Sequence, residues 1–302
     1  MQPAIIENAM TVDVEDYFHV SAFSETIDRK DWATLEYRAE ANTNKLLQLF
    51  ADRGVSATFF VLGWVASRSP QLVRTIQCAG HEVASHGMSH RLIYTQSREE
   101  FTRETAESKA MLEDLTGKAV VGYRAASYSI TRKSLWALDV LCEQGFRYDS
   151  SIFPIRHDLY GIPGAPVAPG RISAPNGSSI VEFPLSTVDV LGIRVPVSGG
   201  GYFRLLPYPL TRAGLRRLNL RLLRPFVFYL HPWEVDTGQP RIGARWLSRF
   251  RHYTNIENCE ARLSQLMAEF RFTTMHRVLS NLGLFERPQE NPVNEPLHAL
   301  GR

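Results

Sequence analysis

Residues 57–62, ATFFVL, form a short continuous apolar run without a charged residue. Such a run is typical of a strand that is buried on both faces, as in the parallel sheets of α/β proteins. Residues 9–14, AMTVDV, form a second strand-like segment. Between the two, residues 43–53 place leucines at helical spacing before Gly54, which is a helix stop. Together these segments predict a βαβ unit.

The same alternation of strand and helix continues along the chain. We predict further helices over residues 70–79, 99–116, 133–144 and 259–270. We predict further strands over residues 81–85, 120–124, 147–149, 179–183, 225–230 and 272–274. This alternation predicts an α/β fold with a parallel sheet that is either open or closed into a barrel. In both architectures, chemistry is expected at the carboxyl ends of the strands.

Composition and charge exclude several classes of partner. The 302 residues carry a formal charge of +3, which gives no electrostatic reason to expect nucleic acid or an anionic membrane as a partner. The one basic run, residues 212–224, alternates arginines with leucines and is interpreted as the solvated face of an amphipathic helix in preference to a phosphate or lipid site. The three cysteines are far apart and predict neither a disulfide framework nor a zinc knuckle. Because no signal-peptide pattern or long apolar run is seen, we predict a cytoplasmic protein without an integral membrane segment.

Polar side chains follow three of the predicted strands. They are Asp13, Glu15 and Asp16 at the end of the first strand, His86 and His90 after residues 81–85, and His231 after residues 225–230. Since the carboxyl ends of parallel strands meet at one edge of the sheet, we expect these side chains to converge.

The segment SHGMSH places His86 and His90 four residues apart, so that on a helical turn both imidazoles would lie on one face. Two histidines, one carboxylate and an open position make a ligand set for a catalytic metal ion. An isolated pair at this spacing is usually coincidental, and an acidic run after a strand can simply cap the next helix. Three crowded carboxylates nevertheless repel one another unless positive charge lies among them, and a divalent ion or Arg124 would supply it.

Six motifs follow one another along the chain: TVDVEDYF, ATFFVLG, GHEVASHGMSH, GYRAAS, YDSS and YLHPWE. In order and surroundings they resemble the NodB-type polysaccharide deacetylases, carbohydrate esterase family four. DVEDYF, the GGGYFR segment and the C-terminal extension are similar to the branch found beside exopolysaccharide and exosortase loci. The resemblance implies a distorted (β/α)7-type barrel, the NodB-homology fold, in a domain over residues 1–282 with a family-specific extension from about residue 160. Residues 283–302 are predicted to be a disordered tail.

The resemblance also implies a role for each matching side chain. Asp13 would be the general base, and Arg124 would pair with it and orient it. His231 would be the general acid, with Asp149 holding it in position. The ligands implied for zinc or a similar divalent ion are His86, His90 and either Glu15 or Asp16.

Three departures from the family pattern bear on these roles. Val14 and Glu15 separate Asp13 from Asp16, where the family commonly has two adjacent Asp residues, so either Glu15 or Asp16 could be the carboxylate ligand. Gly87 replaces the usual Ser or Thr after the first histidine, and two alanines replace prolines after the arginine. The same changes occur on the allantoinase-like side of the superfamily.

The predicted function is metal-dependent removal of N-acetyl groups from amino-sugar units of a polysaccharide, in exopolysaccharide biosynthesis. The expected substrate is an N-acetylated polysaccharide or a lipid-linked oligosaccharide. An allantoinase-like cyclic amidohydrolase and a non-catalytic carbohydrate-binding relative are the alternatives. Tyr202, Phe203 and Trp233 are available to stack on sugar rings, although aromatic residues more often belong to a core. The sequence gives no indication of the oligomeric state.

Overall fold

The structure is a computed structural model that describes residues 6–285. The strands of the first half are β1 (Glu7–Val14), β2 (Thr58–Val61), β3 (Glu82–Ser85), β4 (Gly122–Tyr123) and β5 (Tyr148–Asp149). The helices of this half are α1 (Ala39–Arg53), α2 (Gly63–Arg68), α3 (Pro70–Cys78), α4 (Arg98–Thr116) and α5 (Trp136–Glu143). Each strand and helix predicted for this half is present within a few residues of its expected bounds, and α2 is the additional helix.

The second half contains more regular structure than the sequence indicates. Its strands are β6 (Gly170–Ser173), β7 (Ser179–Glu182), β8 (Thr187–Val190), β9 (Ile193–Pro196), β10 (Val227–Leu230) and β11 (Arg271–Thr273). Its helices are α6 (Gly200–Leu205), α7 (Tyr208–Arg216), α8 (Trp246–Tyr253), α9 (Ile256–Glu269) and α10 (Met275–Asn281). A π-helical segment, Arg217–Arg221, continues α7. Short 3-10 turns occupy Tyr17–His19, Ser21–Phe23, Arg29–Thr34, Ile93–Thr95, Ala126–Tyr128 and Pro232–Val235.

The main sheet has the order β10-β1-β2-β3-β4-β5-β7-β6, and β11 also pairs with the start of β1. Only the β6–β7 pair of this sheet is antiparallel, and β8 and β9 form a separate hairpin. Within residues 6–285 no strand ladder closes the ring between β7 and β10. Single backbone bonds bridge part of that gap, from Val197 N–H to the Ser186 carbonyl (3.2 Å) and from Tyr229 N–H to the Ser198 carbonyl (2.7 Å). The α/β prediction is confirmed, and the strands do not form a closed barrel.

The central strands are buried on both faces, as the ATFFVL run predicts. Met10 and Phe59 belong to the large core under the helices, whereas Ala9 and Phe60 belong to a second core on the opposite face of the sheet. Because side chains alternate along a strand, each strand contributes to both cores. Fully burying one such side chain contributes roughly 1.5–3 kcal/mol to stability.

Gly199 allows the backbone before α6 to lie directly against β10. Its φ is 127°, and a Cβ atom there would lie 1.9 Å from the Tyr229 carbonyl oxygen. A side chain at this position would push β10 away. Glycine at residue 199 therefore lets the backbone pack against β10, the strand that precedes His231.

No helix in the described part of the chain is long and apolar enough to cross a bilayer. The single domain over residues 1–282 stays a prediction. Of the tail predicted to be disordered, residues 286–302 lie outside the described residues.

Candidate active site

A cleft of about 440 Å³ opens at the carboxyl ends of the parallel strands. Five side chains predicted from the sequence line it together: Asp13, Glu15, His86, His90 and His231. Three separate strands, β1, β3 and β10, deliver these side chains, because each motif directly follows the end of its strand.

Asp13 is held on one side by a buried guanidinium group. Its Oδ1 accepts a 2.7 Å bond from Nη1 of Arg124, the pairing that the resemblance implies. Arg124 is fully buried and also donates to the Thr11 hydroxyl (2.8 Å) and to the Ser150 carbonyl (3.1 Å). Burial lowers the pKa of Arg124, but the adjacent Asp13 carboxylate outweighs this and raises it. Oδ2 of Asp13 lies 3.4 Å from the Tyr128 hydroxyl and 3.9 Å from Nε2 of His231.

Glu15, His86 and His90 form a compact group of three buried side chains. One ligand atom from each lies within 4.8 Å of the others. Oε2 of Glu15 is 2.6 Å from Nε2 of His90. Nδ1 of His86 lies 2.8 Å from the Arg124 carbonyl, and a proton on Nδ1 there leaves Nε2 free as a donor to a cation.

The protonation states of this group also suit a cation. Burial lowers the pKa of His86 to about 4, so that its ring is neutral near pH 7. Burial raises the pKa of Glu15, but the neighbouring imidazoles of His90, His231 and His86 outweigh this effect and hold that pKa well below its usual range. A neutral imidazole and an ionised carboxylate are the forms that bind metal ions.

A loop, rather than a helix, brings His86 and His90 together. The helical turn expected for SHGMSH is wrong, because Gly87 has a φ of 75° and His90 a φ of 52°. The two imidazole centroids are 5.4 Å apart. A positive φ at a residue other than glycine is unfavourable, and such strain is concentrated at functional sites.

Asp16 lies outside the group of three, although it is one of the two carboxylates left open by the sequence. Its side chain accepts backbone N–H bonds from Tyr17 (2.8 Å), Arg38 (2.6 Å) and Ala39 (2.8 Å). These bonds fix the start of α1 against the 3-10 turn after β1. Burial raises the pKa of Asp16 to about 6 in spite of these three donors. Its carboxylate is therefore occupied in holding the backbone.

His231 has a different neighbour from the one expected. Its Nδ1 lies 3.5 Å from Oε2 of Glu234, the residue three positions further along the chain. The same Oε2 accepts the backbone N–H of His231 at 3.1 Å, and Oε1 of Glu234 accepts a 2.9 Å bond from Nε of Arg204. Burial lowers the pKa of His231, but Glu234, Glu15 and Asp13 together raise it to about 9.

Asp149 does not reach His231, in contrast to the expected role. Its carboxylate accepts the Ser151 hydroxyl at 2.5 Å and the Ser151 backbone N–H at 3.2 Å. It lies opposite Glu182 in the β5–β7 register. Burial raises the pKa of both carboxyl groups, so this pair is positioned to share a proton inside the sheet.

Sequence reasoning missed Glu234 and Arg204, and the structure changes the interpretation of two aromatic residues. Glu234 lies within the quoted YLHPWE motif, so its spacing from His231 was the available signal. Trp233 and Phe203 are buried and therefore are not platforms for sugar rings. Trp233 stacks on His231 with centroids 5.0 Å apart and donates its indole N–H to Glu15 (3.2 Å).

The three-residue group fits a divalent cation on the chemistry of its donors. Two imidazoles and one carboxylate are a known ligand set of catalytic zinc, which keeps a further position open. Apart from its short contact with Nε2 of His90, Oε2 of Glu15 is buried with no hydrogen-bond donor among residues 6–285. A buried ionised carboxylate with a single imidazole contact at this oxygen is unfavourable, and a cation between it and the two histidines would neutralise its charge.

Two family models match successive parts of this chain. Residues 24–147 match the model described as polysaccharide deacetylase, and residues 150–280 match a domain of unknown function, DUF3473. Residues 24–147 are therefore similar to polysaccharide deacetylases and residues 150–280 to the DUF3473 domain, which confirms the resemblance to the NodB-type deacetylases. Membership of the exopolysaccharide-associated branch stays a prediction.

Curated relatives include deacetylases of two kinds of glycan. A chitooligosaccharide deacetylase of Sinorhizobium fredii is 35% identical over 99 residues, which is 33% of this chain and 44% of that protein. A peptidoglycan deacetylase of Helicobacter pylori is 30% identical over 116 residues, which is 38% of this chain and 39% of that protein. The matched part of the chain thus spans about two fifths of the length of these relatives.

Solved structures with the same fold include proteins of both superfamily branches considered above. A Mycobacterium smegmatis protein assigned as a polysaccharide deacetylase has a TM-score of 0.61 at 20% identity, covering 95% of this chain and 94% of that chain. The PuuE allantoinase has a TM-score of 0.61 at 15% identity, covering 93% of this chain and 91% of its own. These likenesses establish the fold and do not distinguish the two activities.

Proposed function

We propose that this protein is a metal-dependent N-deacetylase that acts on amino-sugar units of a polysaccharide in exopolysaccharide biosynthesis. The observation that carries the proposal is the convergence of Asp13, the group Glu15, His86 and His90, and His231 in one cleft. A base, a cation site and an acid within one cavity are the parts that amide hydrolysis requires. The names of the curated relatives support the glycan substrate.

Glu15 is the carboxylate that we assign to the cation site, together with His86 and His90. A divalent ion held there, with zinc as our choice, would polarise the amide carbonyl and acidify water. The other residues of the chain perform the proton transfers. Asp13, held at Oδ1 by Arg124, takes the proton of the attacking water at Oδ2, and His231 donates a proton to the departing amine nitrogen.

His231 suits the acid role because of the charges around it. Burial lowers the pKa of His231, but Glu234 and Asp13, neither of which is a proposed ligand of the cation, raise it and favour the protonated ring. An amine leaves poorly unless it receives a proton. Glu234 holds the ring from the side away from Asp13, and Arg204 holds Glu234. We therefore assign to Glu234 the positioning role first given to Asp149.

A single screen tests the reaction and the cation site together. Purified protein is incubated with N-acetylglucosamine oligomers of increasing length and with allantoin, with and without added zinc, while acetate release and ring opening are measured. We expect acetate from the oligomers and no ring opening. Ring opening of allantoin without acetate release from the oligomers would favour the allantoinase-like alternative. If no acetate and no ring-opened product were formed, the proposal that the protein is an enzyme would be contradicted.

Two neighbouring carboxylates provide a matched pair of variants for the same screen. Glu15→Gln should lose bound metal and acetate release together, because it removes the anionic ligand. Asp16→Asn should keep its metal and lose about 1–3 kcal/mol of stability, because both carboxylate oxygens accept backbone N–H bonds and an amide nitrogen cannot. If Asp16→Asn lost the metal and Glu15→Gln kept it, the ligand assignment would be wrong.

The remaining parts of the proposal concern the setting of the enzyme. We infer that the substrate is a polysaccharide or its lipid-linked precursor, and that the protein works in the cytoplasm. These statements rest on the resemblance of the DVEDYF and GGGYFR segments to the exopolysaccharide-associated branch. Activity on a lipid-linked oligosaccharide, compared with the free sugar chain, is the measurement that separates the two substrates.

A further inference from the structure

Residues 208–224 form a surface that the proposed chemistry does not use. They include α7 and its π-helical continuation, and they contain five arginines. From residue 207 to residue 233 the chain has no acidic residue. We call the exposed part of this segment, Leu210, Arg217, Leu220, Arg221 and Leu223, the arginine–leucine face.

This face differs from the solvated helix face that the sequence predicts, because it exposes leucine side chains to solvent. Leu210, Leu220 and Leu223 are 60%, 71% and 72% exposed. The same segment buries Leu215 and Leu218 completely, so its contribution to the core is made by other leucines. Single exposed leucines are ordinary, but Leu220 and Leu223 line one groove together and so form an apolar patch of the kind that marks an interaction surface.

The positive charge of this face is only partly neutralised. Glu269 lies 3.7 Å from Arg212 and 3.2 Å from Arg216. Among residues 6–285, no carboxylate lies within salt-bridge distance of Arg217 or Arg221. The face therefore combines apolar side chains with free guanidinium groups, which is the composition of helices that lie in the interface of anionic membranes.

A groove of about 690 Å³ opens beside these leucines. Its apolar lining comes from Leu220, Leu223, Met267 and Phe270. Its charged lining comes from Arg216, Arg271 and Glu269, and Glu269 lies 3.2 Å from Arg216. A groove with apolar walls and guanidinium groups can accept part of an acyl chain while the arginines contact a phosphate group.

The arginine–leucine face lies at the opposite end of the sheet from the cleft. The side chain of Asn219 exchanges hydrogen bonds of 3.0 and 2.8 Å with that of Asn8, at the start of β1. The cleft lies at the other end of β1, beyond Val14. A surface that covers this face would leave the cleft open to solvent.

We propose that the arginine–leucine face docks on the surface of an anionic phospholipid bilayer. The leucines enter the acyl boundary, and Arg217 and Arg221 contact lipid phosphates. The protein binds peripherally, and the inference does not depend on the proposed deacetylation.

Co-sedimentation with vesicles tests the proposal on the full chain. Vesicles of equal parts phosphatidylglycerol and phosphatidylcholine are compared with vesicles of phosphatidylcholine alone, at low and at high salt. We expect binding to the anionic vesicles that weakens with salt. Arg217→Gln/Arg221→Gln should reduce the affinity by at least about tenfold, because each arginine near the surface contributes about 1 kcal/mol. Leu220→Ser/Leu223→Ser should also bind at least about tenfold more weakly, at low and at high salt.

Matched controls carry the same chemical changes elsewhere. Leu282→Ser changes a leucine exposed at the end of α10, and Arg74→Gln/Arg103→Gln changes two exposed arginines on α3 and α4. Both controls should bind vesicles like the wild type, and unfolding curves verify that every variant is folded. The proposal is overturned if the wild-type protein does not bind anionic vesicles. It is also overturned if Leu220→Ser/Leu223→Ser binds them as tightly as Leu282→Ser does. It is equally overturned if the leucine variant changes only the oligomeric state, which would make the face a contact between copies of the chain.

Discussion

Two buried pairs of guanidinium and carboxylate groups flank the cleft, and they differ in their distance from the reacting atoms. Arg124 binds Asp13, which is itself the proposed base, at 2.7 Å. Arg204 binds Glu234 at 2.9 Å, and Glu234 in turn lies 3.5 Å from His231. The first pair therefore acts on a reacting group directly, whereas the second acts through one further side chain.

The difference shows how the two halves of the chain share the site. Arg124 lies within residues 24–147, the polysaccharide deacetylase match, while Arg204 and Glu234 lie within residues 150–280, the DUF3473 match. Arg204 also donates to the carbonyls of His252 (2.7 Å) and Thr254 (2.9 Å), which connects the acid side of the cleft to α8. We infer that the DUF3473 region supplies the proposed acid, His231, and the residues that position it. The proposed base, Asp13, and the cation site come from the segments before that region.

Asp13→Asn should have the largest effect, because it removes the base itself. We expect acetate release to fall by about 10³-fold, within the range typical for general acid–base catalysis. The loss should be similar for an N-acetyl amide and for an activated acetate ester such as p-nitrophenyl acetate, since both require an activated water. Metal content, measured on the same sample, should remain that of the wild type. Activity within a few-fold of the wild type would contradict the assignment of the base.

Glu234→Gln should have a smaller and more selective effect. The change keeps the shape of the side chain and removes the charge that raises the pKa of His231, so a smaller fraction of the ring is protonated near pH 7. We expect about a tenfold loss on the N-acetyl amide. The activated ester should be hydrolysed almost normally, because its leaving group needs no proton. An equal loss on both substrates would show a general structural role.

Arg204→Met should affect stability more than activity. Removing one partner of a buried ion pair leaves the other charge unpaired, which costs about 3–5 kcal/mol. Urea unfolding measures this loss, and Arg204→Lys is the control that keeps the charge. The activity of the folded Arg204→Met protein on the amide should fall no further than that of Glu234→Gln. A loss as large as that of Asp13→Asn would place Arg204 at the reacting atoms.

The stability of the folded protein should depend on pH through His252, whose backbone carbonyl accepts a hydrogen bond from Arg204. The buried ring has its Nε2 2.6 Å from the Gln239 amide oxygen, and burial and the charge of Arg204 lower its pKa from 6.5 to about 3. Below pH 6.5 the unfolded chain binds a proton that the folded protein excludes, so stability falls as the pH drops from 6.5 towards 3.

The test compares urea unfolding at about pH 7.5 and about pH 5. His252→Gln should show a smaller loss of stability between these two values than the wild type does. An identical loss in both proteins would show that His252 does not contribute to this pH dependence.

The pairing of Arg124 with Asp13 could be predicted from the sequence, whereas the pairing of Arg204 with Glu234 could not. Asp13 lies near the end of β1 and Arg124 directly follows β4, so strand order and the family resemblance bring them together. Arg204 lies on α6, a helix whose first two residues, Gly200 and Gly201, belong to the three-glycine run, and no apolar periodicity predicts it. Glu234 lies three residues after His231 on a 3-10 turn, at a spacing that equally fits a helix cap.

Two further features of the site, the loop that carries His86 and His90 and the choice between Glu15 and Asp16, also depend on backbone geometry that the sequence does not predict. The spacing of His86 and His90 predicts a shared helix face, but positive φ angles in the loop produce the same convergence by another route. Asp16 and Glu15 could not be separated by sequence, because the N–H groups that occupy Asp16 belong partly to residues 38 and 39. Backbone angles within the loop decided the first case, and hydrogen bonds to residues distant in sequence decided the second.

The central claim is that a cation held by Glu15, His86 and His90 is required for deacetylation by Asp13 and His231. Its most direct test is the rate of acetate release from an N-acetylglucosamine oligomer by protein stripped with EDTA and then given zinc. We predict that stripping abolishes acetate release in the wild type and that zinc restores it, whereas His86→Ala stays inactive at every zinc concentration. Acetate release at the normal rate from the stripped wild type, or from His86→Ala, would contradict the account.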